Sequence, residues 1–124
     1  MSFEAILQRI VDECGGGLAA ALMGSDGIPI QEVVASAPPA RVPFEEIGSV
    51  GAEFVRVLDE LRKASDALSG GGVVETLASF ARFVLLCRVV DEDIFVLLAV
   101  SPDGNLGKAR YLLRRHLLAL REEL

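Results

Sequence analysis

Three apolar runs crowd the second half of the chain: Val73 to Phe80, Phe83 to Val90 and Ile94 to Val100. Only Ala81-Arg82 and Asp91-Glu92-Asp93 separate them. A parallel crossover takes about a dozen residues or more, so gaps this short make the three runs antiparallel neighbours joined by hairpins. The meander has little polar face. A sheet without a polar face needs cover on both sides, which dictates a layered structure with helices above and below.

The remaining segments supply those layers. Phe3, Ile6, Leu7, Ile10, Val11 and Cys14 fall at helical spacing among charged residues, which predicts a short amphipathic helix. Ser2 suits its N-cap, and Gly15-Gly16-Gly17 ends it. Leu18 to Met23, then Gly24-Ser25-Asp26-Gly27, then Ile28 to Val34 read as a hairpin with an Asp-Gly turn. Its first strand is apolar on both faces and therefore central. Its second carries Pro29, which cannot donate to a ladder, so it belongs at a sheet edge.

Ala35 to Val42, with Pro38-Pro39, is expected as a loop. From Pro43 to about Leu68, Phe44, Ile47, Gly51, Phe54, Leu58, Leu61, Ser65 and Leu68 step by three and four. Pro43 suits a first helical turn, and Glu45 and Glu46 favour the positive helix end. A second stripe, Val50, Val57 and Ala64, flanks the first. One helix with two apolar stripes has more to bury than one sheet face covers, and the excess points to a partner. Gly48, Ser49, Gly51 and Ala52 are small enough to let a second helix approach. Ser101 to Asn105 stops the last strand, and a final helix runs from Leu106 to about Leu120.

The order is helix, two strands, long helix, three strands, helix, which is an α+β (α/β) fold in one domain spanning residues 1–124. The first and last helices are expected on one face of a five-stranded antiparallel sheet and the long helix on the other.

Composition excludes several function classes. A net charge of -6 supplies no positive field for nucleic acid or an anionic membrane surface. The longest uninterrupted apolar run, Ile94 to Val100, is far below the roughly 18 residues of a membrane helix, so no membrane insertion is expected. No secretory leader is visible, and two distant cysteines, Cys14 and Cys87, read as buried reduced thiols. A cytoplasmic protein is expected. Charge is unevenly spread: residues 108–124 hold five basic and two acidic groups, and the rest hold seven and sixteen.

Residues that carry chemistry are missing. With His116 as the single histidine, no two-histidine metal site is possible, and no catalytic, metal or cofactor residue is assigned. Asp91, Glu92 and Asp93 read as a solvated hairpin tip. Gly104-Asn105-Leu106-Gly107-Lys108 is too short for a phosphate loop and is followed by Ala109 where a hydroxyl is required.

Particular residues then add a resemblance. Phe3, Ile6-Leu7 and Ile10-Val11 are similar to the opening helix of the Roadblock/LC7 family. Gly17 to Ile28 resembles its hydrophobic strand followed by an Asp-Gly turn and an apolar residue. Leu97 to Val100 followed by Asn105-Leu106-Gly107-Lys108-Ala109-Arg110 resembles its closing "N-[LF]-G-x-[VAG]-R". The likeness spans essentially the whole chain and is strongest to bacterial members. It implies the order αββαβββα and a non-enzymatic dimeric platform without cofactor. Its implied partners are a small Ras-like GTPase or another Roadblock protein, as in bacterial cell polarity and gliding motility. A small-molecule-sensing domain is the alternative, but the core runs lack the polar residues a ligand cavity needs.

Under the family-like strand order 2-1-5-4-3, the edges are the strand with Pro29 and the strand beginning at Val73. The second has no Pro or Lys to blunt it, so a homodimer is expected to join there, through Val73, Val74 and Thr76. Val50, Glu53, Val57 and Glu60 are expected to face the symmetry mate above the joined sheet. Ser25, Asp26 and Ile28 at the first hairpin tip are the candidate partner contact, because a turn needs Asp26 and Gly27 but no Ile after them; the alternative is that Ile28 tucks under the first or last helix.

Overall fold

Ser2 caps the first helix, α1 (Phe3–Glu13): its hydroxyl accepts from the Ala5 N–H at 3.2 Å. The computed structural model describes residues 2–37 and 47–124. Pro38-Pro39, Val42, Pro43, Phe44, Glu45 and Glu46 lie outside the described residues. Strands β1 (Gly17–Gly24) and β2 (Pro29–Val34) form the first hairpin, followed by α2 (Ile47–Leu68). Then come β3 (Glu75–Ser79), β4 (Val84–Asp91), β5 (Ile94–Val100), α3 (Leu106–Arg115) and α4 (Leu117–Glu122). The five strands form one antiparallel sheet in the order β2-β1-β5-β4-β3.

Strand alternation divides the core in two. Ala20, Leu22, Leu86, Val96, Leu98 and Val100 turn toward Ile6, Leu7 and Ile10 of α1 and Ala109, Leu113 and Leu120 of α3 and α4. Ala19, Ala21, Met23, Leu85, Cys87 and Leu97 turn the other way, toward Ile47, Phe54 and Leu58 of α2. Short alanines in β1 suit the centre of the sheet, where both faces are covered and space is smallest. The expected two-sided cover is what the chain forms.

Three expectations need correction. The α2 stripe is buried only as far as Leu58, whereas Leu61 is 39% and Leu68 81% exposed. Twenty-two helical residues extend about 33 Å, longer than any strand here, so the last turns overhang the sheet. Strand β3 starts at Glu75 rather than Val73, because Val73 leaves the ladder to pack against the α2-side core. The final helix breaks at His116, although His116 N–H still donates to Leu112 and Leu120 N–H to His116, each at 3.0 Å.

Candidate functional site

The first hairpin tip is built by backbone geometry. Gly27 holds φ +83°, its N–H donates to the Gly24 carbonyl at 3.0 Å, and Asp26 Oδ1 accepts from Ile28 N–H at 3.0 Å. Ser25 N–H donates to the Asp93 carbonyl at 2.8 Å, which ties this turn to the β4–β5 turn. That geometry holds the Ile28 backbone but makes no use of its side chain, which stays 63% exposed rather than tucking under a helix. Ser25, Asp26 and Ile28 therefore lie together, with Ile30, Asp93 and Ile94, around one shallow depression.

The two sheet edges differ in how much hydrogen-bonding capacity they leave open. Ala35 N–H donates to Leu18, so in the β1–β2 ladder Glu32 and Val34 turn their N–H and C=O outward. Gln8 Nε2 covers the Val34 carbonyl at 2.8 Å, Gln31 Nε2 reaches the Glu32 carbonyl at 3.4 Å, and Pro29 has no N–H. That edge is blunted. At the opposite edge, Phe80 N–H donates to Phe83 and Val89 N–H to Val74, so Thr76 and Ala78 bond inward. Glu75, Leu77 and Ser79 consequently present both backbone groups to the outside.

The second stripe of α2 is partly open to solvent. Val50 is half-buried and Val57 is 47% exposed, and Glu53, Arg56, Val57 and Glu60 line one surface depression. Val74 is 59% exposed, Val73 half-buried, and Thr76 pairs with Cys87 on the face that α2 covers. The small residues of α2 correct the reading given to them. A Cβ on Gly51 would meet the Met23 side chain at 2.7–3.1 Å, and one on Gly48 would strike Glu32. Both glycines admit the helix to its own sheet, so they are taken up before any partner arrives.

One contact left little signal in the local pattern. Arg110 Nε and Nη2 donate to Glu75 Oε1 and Oε2 at 3.0 and 2.9 Å, with Arg88 Nη1 3.7 Å from the same carboxylate. The Arg110 hydrogen bonds, opposed by burial, hold Glu75 below the usual carboxylate range. The arginine that closes the last motif thus clamps α3 to the open edge strand. A lone charge inside the Val73–Phe80 run was its one trace in the sequence.

His116 sits at the α3–α4 joint, where burial and then Arg115 lower its affinity for a proton, and no hydroxyl or thiol bonds its ring among the described residues. No His, Cys, Asp or Glu cluster among the described residues could hold a metal ion. Asn105 Oδ1 accepts from Lys108 N–H at 3.0 Å, so the first turn of α3 is capped internally. No helix among the described residues is long and apolar enough to cross a membrane.

Known structures share this architecture. A Roadblock/LC7 domain from Streptomyces avermitilis superposes with TM-score 0.81 at 11% identity, over 98% of this chain and 97% of that one. The gliding protein MglB from Thermus thermophilus gives 0.83 at 16% identity, over 96% and 85%. MglC from Myxococcus xanthus gives TM-score 0.71 at 32% identity, over 100% of both chains. The chain belongs to the Roadblock/LC7 family. No family model matches this sequence, and a search of curated proteins likewise finds no match. In this Roadblock/LC7 chain the β2 edge is blunted, and the β3 edge leaves backbone groups open among the described residues.

Proposed function

We propose that this Roadblock/LC7 chain is a single-domain, non-enzymatic adaptor that works as a homodimer and regulates a small Ras-like GTPase system. The observation that carries the reading is the β3 edge, where Glu75, Leu77 and Ser79 turn backbone groups outward with no partner among the described residues. Two such edges pair antiparallel across a two-fold axis only if outward-facing residues meet. Full overlap of the five-residue strand then centres the axis on Leu77, with Glu75 opposite Ser79 of the second copy. Val50, Glu53, Val57 and Glu60 would face their symmetry mates above the ten-stranded sheet.

Partner capture would use Ser25, Asp26 and Ile28 at the other end of the strand order. Its partner is the GTPase or another Roadblock protein, consistent with the likeness to MglC and MglB chains of bacterial origin. A ligand-sensing role has less support, because among the described residues no polar or charged side chain is fully buried in the core.

Two variants separate the parts. Val57→Asp puts a charge in the helix-pair contact and should give monomers that still fold. Asp26→Ala with Ile28→Ala should lose partner capture while the dimer mass is unchanged. A double variant that captures its GTPase or Roadblock partner as well as the parent contradicts the tip assignment.

A further inference from the structure

We propose that the tip of the sheet in one copy also docks on the outer face of α3 and α4 in a second copy, a head-to-tail contact separate from β3 pairing. It rests on reading the tip as a contact surface and names one occupant for it. Gly24 pairs with Ile94 where the β1–β2 and β4–β5 turns meet, and the depression there holds Ile28, Ile30 and Ile94 beside Asp26 and Asp93. Ile28 and Ile30 are exposed, and Asp91 and Glu92 extend the negative charge. No cation pairs with these four carboxylates among the described residues. Such an acidic, apolar hollow calls for an apolar side chain flanked by cations.

The chain carries that counterpart itself. Leu118 is 64% exposed on α4, four residues after Arg114 and three after Arg115. Helical hydrogen bonds continue through the joint at His116, so the three side chains share a face. Neither arginine makes an ion pair among the described residues. Residues 108–124 carry a net +3 in a chain of net -6, so this end is opposite in charge to the acidic tip. The two patches differ. A contact between unlike patches does not close on itself as a two-fold contact does, and combined with β3 pairing it builds assemblies beyond two chains.

Sedimentation velocity of the full chain tests this. At about 50 mM salt the weight-average mass should exceed that of a dimer, and at about 1 M, where the screening length is about 3 Å, it should fall to the dimer. Arg114→Glu with Arg115→Glu should abolish the larger species, and so should Glu92→Lys with Asp93→Lys. Mixing the two charge-reversed proteins should restore them. A mass that never exceeds a dimer, reversed variants that assemble like the parent, or a mixture that fails to recover overturns the proposal. Capture of a GTPase without self-association would keep the tip as a partner surface and remove only the second copy as its occupant.

Discussion

Arg110 on α3 grips Glu75 on the edge strand through two near-parallel hydrogen bonds of 3.0 and 2.9 Å. The grip fixes the start of β3, the strand on which the proposed dimer depends. Its carboxylate is held in a depressed range, so its contribution is complete at neutral pH and fades as pH falls below the ordinary value of 4.5. Equilibrium urea unfolding from pH 7 down to about pH 2.5 should therefore show a steeper loss below pH 4.5 in the parent than in Glu75→Gln. Arg110→Lys, which cannot reproduce a planar fork, should destabilise more than charge conservation implies.

Gly17 sits where α1 turns into β1. A Cβ there would collide with the Val11 carbonyl oxygen and lie 2.7 Å from Cys14 Sγ. Backbone cannot yield as a side chain does, so Gly17→Ala should cost about 1–3 kcal/mol in urea unfolding. An unchanged midpoint would mean that α1 approaches β1 less closely than described.

Cys87 is buried beneath α2, and burial pushes its thiol up to about 12. A thiol raised on folding favours the native state fully below its ordinary value of 9.0, and that contribution is lost as pH climbs toward 12. At pH 8 a thiol reagent should label neither Cys87 nor the buried Cys14 in the native protein, and both after unfolding in urea.

Much of the fold was legible because its signals are local. Two- and three-residue gaps between apolar runs force hairpins, and Pro29 marks an edge without any knowledge of the sheet. The exposure of Ile28 was not legible: the turn does not require the residue, but the sequence reads at least as well with Ile28 tucked under the first or last helix, and only its 63% exposure decides. Other features depend on residues far apart in sequence. The pair formed by Glu75 and Arg110 spans 35 positions and leaves no periodic trace. Gly48 and Gly51 read equally well as facing a partner helix or the chain's own sheet, and only Glu32 and Met23 decide between them. The break at His116 was invisible because Leu117 and Leu120 continue the apolar spacing.

Val57→Asp tests the helix contact. Val57 is 47% exposed in one chain, so the substitution leaves the core intact but buries a charge wherever two copies meet. The cost to association should be about 2 kcal/mol or more. Sedimentation equilibrium should show single chains with a native circular dichroism spectrum, and a variant that stays dimeric removes α2 from the contact.

The most direct measurement is hydrogen exchange at the amides of β3, resolved residue by residue in the parent and in Val57→Asp. Thr76 and Ala78 bond to β4 within one chain and should exchange slowly in both proteins. Leu77 points its amide outward, so it should be slow in the parent, where the second copy covers it, and fast in the monomeric variant. A Leu77 amide that exchanges rapidly in the parent at concentrations where the protein is dimeric would show that the copies do not join through this edge.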